Sequence, residues 1–278
     1  MFMGITVFVD GLSAHTLQQG IDSYNNGKKP DRNIIDGEDA DPGEFPYQVR
    51  MLRDGFFFCM GTILDETTVL SAAHCFKDGI EGFTLLSEGT KYQAVAGDWD
   101  IRIDEGTEQF SNITGVALHP RYNSADMMSF DVCVLKVETP FVFNDFVAPV
   151  KLVTNRELEQ RVRRQNECYM AGFGFASLDP LILPNILQKV KAKIYPRKFC
   201  DYFPYEGRWK SNVLCAFAPP KTACFGDSGG PLLCKTAKGQ HVQVGIIQFG
   251  RCGYYSGNAR IYSSREFIME QMKKETLP

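Results

Sequence analysis

Histidine is scarce in this chain, with only His15, His74, His119 and His241 among 278 residues, so chemistry that needs an imidazole base has few places to reside. No charge of one sign dominates. A formal net charge of -3 with mixed signs gives no electrostatic case for a nucleic acid or an acidic membrane surface. No apolar run is long enough to span a bilayer, and no sustained helical periodicity precedes the last stretch. These absences exclude a membrane-spanning helical protein, a basic nucleic-acid binder and a helical bundle. What remains is 44% hydrophobic residues in short β-rich runs broken by Gly, Pro, Asn and Asp, enough for a large all-β core.

Against that background, Cys224-Phe225-Gly226-Asp227-Ser228-Gly229-Gly230-Pro231 stands out. Glycines on both sides of one serine allow a sharp turn and let the amides of Gly226 and Ser228 approach a ligand without Cβ obstruction. Two such amides can hold an oxyanion, which makes Ser228 a candidate nucleophile. Taken alone, Gly-Asp-Ser-Gly is more often a plain turn between strands.

A serine nucleophile needs a base and a group to orient that base. Of the four histidines, His74 has the setting of a site: a β-branched run feeds the small residues Ser71-Ala72-Ala73, and Cys75 follows. His119 precedes a proline and reads as a loop residue. Asp131 opens the apolar run Val132-Cys133-Val134-Leu135, where a carboxylate at the mouth of a buried strand needs a partner. An aspartate that merely starts a strand is the plainer reading of that stretch in isolation.

In the chain order His74, Asp131, Ser228, these stretches resemble the trypsin/chymotrypsin-type serine endopeptidases, from residue 34 to about 275. The resemblance implies two six-stranded Greek-key β-barrels, about 34–145 and 146–262, with the site in the cleft between them and a helix at about 263–276. Ser263-Ser264-Arg265-Glu266 is a capping box for that helix, with Phe267, Ile268 and Met272 as its apolar face. The resemblance also implies roles: Ser228 as nucleophile, His74 as base and then acid, Asp131 as orienting carboxylate, and the Gly226 and Ser228 amides as oxyanion hole. No cofactor is implied for catalysis.

Residues 1–14 read as a short signal peptide lacking a positive start, and the polar residues 15–33 as a propeptide. Ile34 then matches the family's mature amino terminus, whose ammonium pairs with the aspartate before the nucleophile, here Asp227. Because Arg32 lies one residue too early, cleavage is expected after Asn33 by a nontryptic activating protease.

Nine cysteines leave the pairing open by arithmetic. The resemblance implies Cys59–Cys75, Cys168–Cys234, Cys200–Cys215 and Cys224–Cys252, leaving Cys133 as a buried hydrophobe. That many bonds fits an oxidising, secretory compartment. Five carboxylates crowd Asp98–Glu108, and the loop resembles the calcium loop of trypsins: side chains of Asp98, Glu105 and Glu108, with carbonyls of Asp100 and Ile103. The plainer alternative is a solvated acidic turn. Asn112-Ile113-Thr114 is a glycosylation sequon.

For specificity, the resemblance implies that Thr222, six residues before Ser228, forms the base of the S1 pocket, where it carries no charge to meet lysine or arginine. Aligning Tyr262 with the family's tyrosine sets Arg260 where a glycine often lines that pocket, as in aspartate-directed members; turned outward, Arg260 would leave a Thr222-floored pocket suited to apolar or aromatic residues. The expected P1 residue is therefore acidic or apolar and not basic. Gln248 replaces the family's usual serine near the triad aspartate, while the backbone from Gln248 to Gly250 remains able to pair with substrate. A catalytically silent homologue that binds partners through the same surface is the alternative. Expected partners are peptide and protein substrates, the activating protease and protein inhibitors, with the chain itself a monomer.

Overall fold

The structure is a computed structural model and describes residues 37–76, 89–126, 129–165, 167–175, 177–178, 181–197, 210–218, 222–252 and 254–277. The signal peptide, the propeptide and Ile34 of the sequence reading lie outside these residues.

The first half forms a closed six-stranded antiparallel barrel. Its strands are β2 (Gln48–Arg53), β3 (Phe56–Asp65), β4 (Thr68–Ser71), β5 (Tyr92–Ala96), β6 (Gln109–Leu118) and β7 (Cys133–Val137), joined in the order β2-β3-β4-β7-β6-β5. Asp54 and Gly55, at φ 51 and 83, make the two-residue hairpin between β2 and β3, a conformation that Asp-Gly adopts readily.

The second half closes in the same way. Its strands are β9 (Cys168–Gly172), β12 (Gln188–Tyr195), β13 (Val213–Phe217), β14 (Pro231–Lys235), β15 (His241–Arg251) and β16 (Tyr255–Arg260). They run β12-β13-β16-β15-β14-β9, and β9 pairs back to β12. β1 (Glu38–Asp39) adds to the edge of β12, β8 (Lys151–Leu152) to β15, and β10 (Ser177–Leu178) pairs with β11 (Leu181–Ile182). β12, Gln-Lys-Val-Lys-Ala-Lys-Ile-Tyr, shows why such segments become strands: its apolar residues alternate inward and its lysines outward.

Met60, Leu70, Ala72, Val132 and Val134 of the first barrel belong to the same buried cluster as Met170, Leu232, Val244 and Ile246 of the second. The two barrels are thus joined by a continuous apolar seam, and the loops carrying His74, Asp131 and Ser228 emerge beside it.

Among the described residues two α-helices flank the sheets, α1 (Arg156–Gln165) and α2 (Ile261–Met272). The sequence reading did not anticipate α1. For α2 it expected a start near residue 263 in a capping box. The helix instead begins at Ile261, Arg260 precedes it with no side-chain cap, and Glu266 is hydrogen-bonded to Arg265. The early start follows from burial: Ile261 is fully enclosed and carries β16 straight into the helix.

Candidate active site

A short 3-10 turn, Ala73–Cys75, carries His74 out of β4, and the Cys59–Cys75 disulfide anchors the next residue to β3. Asp131 sits just before β7 and is fully buried. Its two oxygens are divided between two donors on one residue. Oδ1 accepts the backbone N–H of His74 at 2.8 Å, and Oδ2 lies 2.6 Å from His74 Nδ1. That arrangement fixes the ring and assigns the Nδ1 proton to the carboxylate side, leaving Nε2 as the free base.

The loop from Cys224 to Gly230 brings Ser228 from the second barrel onto the first. Met60 N donates to the Ser228 carbonyl at 2.8 Å, while Gly229 N donates to Ile247 O at 2.8 Å. Gly229 has φ 84, and a Cβ there would overlap the Met60 carbonyl and the Ser71 hydroxyl, so only glycine lets this loop seat against β3 and β4. Cys75 Sγ contacts His74 Nε2 at 3.9 Å and the Ser228 carbonyl at 3.8 Å. Base and serine thus converge on one sulfur.

Phe175 N donates to Phe225 O at 2.8 Å. Since a trans peptide sets C=O and N–H antiparallel, this turns the Gly226 N–H away from Phe175. Among the described residues no backbone carbonyl takes the N–H of Gly226 or Ser228, so both are available to an oxyanion.

Asp227 is buried below them. Its carboxylate accepts N–H bonds from Gly174 and Cys224, each 2.8 Å. A Cβ at Gly172 or Gly174 would overlap that carboxylate, so the two glycines make its cradle. Burial pushes its carboxyl up to about 6 despite the two N–H bonds, and no cationic side chain among the described residues pairs with it. The cradle can accept a cation.

Thr222 is fully buried. Gln248 is also buried, at a register shift where β15 bulges between Ile247 and Phe249. Gly250 pairs with Ser256, whereas Arg260 pairs with Gly245 at the other end of the ladder. The structure therefore corrects the expectation for Arg260. Its guanidinium leaves the pocket wall for Glu159 of α1, with Nε donating to Oε1 at 2.6 Å, Nη2 to Oε2, and Nη1 to Ser211 O at 3.1 Å. The alignment through Tyr262 fails because the bulge and the short turn at Cys252 bring Ser256 opposite Gly250.

Cys168–Cys234 and Cys224–Cys252 are bonded, and Cys133 is free and buried. Cys215 is disulfide-bonded, while Cys200 lies outside the described residues. In the acidic loop, carboxylate oxygens of Asp98, Glu105 and Glu108 lie within 4.8 Å of one another. Arg50 Nε donates to Asp98 at 2.7 Å. Burial, and after it the neighbouring glutamates, still hold the Asp98 carboxyl above its ordinary value against that arginine. The hard-oxygen set fits a calcium ion. The Asp100 carbonyl accepts the Ile103 N–H at 3.1 Å, its side chain pairs with Arg102, and Ile103 is exposed. Asn112 donates from Nδ2 to Glu138 Oε2 at 2.7 Å.

His119, read from sequence as a loop residue, is buried and lies against Phe130, next to Asp131. Its proline neighbour gave no hint of this, since the contact joins segments distant in sequence.

A profile described as Trypsin matches residues 34–268. The chain is similar to transmembrane protease serine 9 of Rattus norvegicus, 30% identical over 88% of this chain and 22% of that protein. It is also similar to coagulation factor IX of Cavia porcellus, 31% identical over 83% of this chain and 77% of that one. Serine protease 1 of Canis lupus familiaris is 32% identical over 73% of this chain and 76% of its own length. The chain thus spans about a fifth of the length of the first of these relatives. Among the described residues no helix is long and apolar enough to cross a membrane.

Proposed function

The chain belongs to the trypsin family of serine proteases, and from that premise we propose that it is an active serine endopeptidase whose P1 preference is apolar. The observation that carries the first part is the division of the Asp131 carboxylate between the backbone and ring N–H groups of His74. In the reaction, His74 Nε2 takes the proton of Ser228 as Oγ bonds to the scissile carbonyl carbon. The oxyanion is held by the Gly226 and Ser228 amides. Collapse breaks the C–N bond, His74 gives its proton to the leaving amine, and water attacks the acyl-enzyme by the same route. Asp131 keeps the ring oriented and stabilises the imidazolium. The test is covalent labelling by a fluorophosphonate after processing. Labelling that disappears in Ser228→Ala and His74→Ala supports the enzyme, whereas a folded parent that takes up no label makes it a silent, partner-binding homologue.

The apolar preference is supported by the neutral Thr222 and Ser256 and by the engagement of Arg260 with Glu159. Bringing an uncompensated charge into such a pocket costs several kcal/mol. On matched peptides, kcat/KM with Phe or Leu at P1 is expected to exceed that with Asp, Glu or Arg by on the order of 10²-fold. Arg260→Gly should leave that ranking unchanged. A parent enzyme that prefers Asp would overturn the assignment.

Activation follows from the Asp227 cradle. Cleavage after Asn33 would free the Ile34 ammonium to pair with a buried carboxylate that otherwise resists ionisation. The disulfides support secretion. A glycan at Asn112 would replace its bond to Glu138. Peptide substrates, an activating protease and protein inhibitors are the partners this reading implies.

Calcium bound by Asp98, Glu105 and Glu108 would brace the loop between β5 and β6. At saturating calcium, about 100 times Kd, the gain is about 2.7 kcal/mol, visible as a rise in Tm that Glu108→Gln should abolish. An equal Tm with calcium and with chelator would make the loop a solvated turn.

A further inference from the structure

Phe130, the residue before Asp131, has φ 54. For a bulky aromatic this is an outlier, and such a conformation persists only where the surroundings enforce it. Three contacts do so. The Phe130 ring stacks on His119 with centroids 4.6 Å apart and planes at 21°, and the Arg121 guanidinium carbon lies 4.0 Å from its centroid. His119 is itself held: its N–H donates to Val132 O at 2.9 Å, its Nδ1 accepts from Arg121 N at 3.1 Å, and its ring lies 4.8 Å from Phe267 of α2. On the other flank, the hydroxyl of buried Ser129 accepts from Asn212 Nδ2, a bond from the second barrel, at 3.0 Å.

The consequence falls on Asp131. Val132 N donates to Phe130 O at 2.8 Å, which closes a three-residue turn with Asp131 at its centre. The direction of the carboxylate is therefore set by the peptide planes on either side. The left-handed turn at Phe130 fixes the first of them. A return of Phe130 to negative φ would rotate the plane between Phe130 and Asp131, and both oxygens would move off the two donors of His74.

Building on the reading of Asp131 as the orienting carboxylate, we propose that Phe130 is a positioning residue whose left-handed backbone, locked by its stack on His119 and Arg121, aims Asp131 at His74. What the enzyme requires at this position is the backbone conformation, and the ring is the means of enforcing it. Asparagine tolerates positive φ without a ring, alanine tolerates it less, and a β-branched residue resists it.

The experiment compares Phe130→Asn, Phe130→Ala and Phe130→Val in the processed full-length protein, each brought to equal concentrations of folded enzyme by near-UV circular dichroism and melting. All three lose the same stack, so lost packing alone would lower them together. Positioning predicts kcat of Phe130→Asn within about threefold of the parent, Phe130→Val lower by on the order of 10²-fold, Phe130→Ala between them, and KM nearly constant. Should Phe130→Val fail to fold, Phe130→Asn against Phe130→Ala decides the question. Equal kcat across the variants, or losses carried by KM, would overturn the proposal. A parent protein that neither turns over peptide nor takes the fluorophosphonate label would instead overturn the reading of the chain as an enzyme.

Discussion

Asp131→Asn is expected to lower kcat about 10⁴-fold with KM little changed, the magnitude established for this substitution in serine proteases with the same triad. The geometry gives the reason. One carboxylate serves two N–H donors of His74, at 2.8 and 2.6 Å. An amide has only one acceptor oxygen, so its NH₂ group must face one of those donors. If the oxygen keeps the backbone N–H, the NH₂ faces Nδ1 and forces the ring into the tautomer with its proton on Nε2. The base is then protonated on the side that should receive the serine proton. Steady-state kinetics on one good peptide, with a melting curve as control, checks this. A loss below about tenfold would mean that Asp131 does not orient His74.

Glu159→Ala is expected to be the most damaging change away from the cleft. Glu159 is completely buried, and the Arg260 side chain is 18% exposed. The hydrogen bonds it donates to Glu159 hold the Arg260 guanidinium above its ordinary value. Burial pulls the nearby Arg163 down while Glu159 supports it. Removing the glutamate takes away the anion that pairs with Arg260 and supports Arg163, at a cost of about 3–5 kcal/mol for a broken buried pair. In a domain of this size that is a fall in Tm on the order of 10 °C, measurable by calorimetry or urea titration. Pairing the change with Arg260→Leu should recover much of the loss, because the uncompensated charge leaves with it. A shift below about 2 °C in Glu159→Ala would show the pair to be dispensable.

The parts of the fold and site that were legible in sequence are those written in local residue chemistry. The glycines around Ser228 announce a turn and Asp131 at the head of an apolar strand announces a need for a partner, although each has a plainer reading alone and the family resemblance is what joins them to His74. Helix α1 was not legible, since Arg-Glu-Leu-Glu-Gln-Arg-Val-Arg-Arg-Gln offers only Leu158 and Val162 as an apolar face. The overlooked signals were Asn155, whose Oδ1 accepts the Leu158 N–H at 2.8 Å as an N-cap, and the Glu157–Arg161 pair one turn apart. Arg260 was misplaced for a different reason. Its position depends on the register of β16 against a bulged strand, which no local pattern reports. The positive φ at Phe130 was equally invisible, because a phenylalanine is the residue least suited to advertise it.

The segment that follows β16 closes back on the first barrel. Lys136 of β7 is buried, and its Nζ reaches Thr68 Oγ1 at 2.7 Å and the Met272 carbonyl at 3.4 Å, at the end of α2. Leu277 packs so tightly on Gly115 of β6 that a Cβ there would meet the Leu277 backbone at 2.8 Å. In the folded protein, then, the segment from α2 to Leu277 gives the buried Lys136 ammonium a carbonyl partner and covers Gly115 of β6. A chain cut short before α2 would keep His74, Asp131 and Ser228 and lose that partner and that cover. Residues that follow the second barrel thus complete the packing of the first.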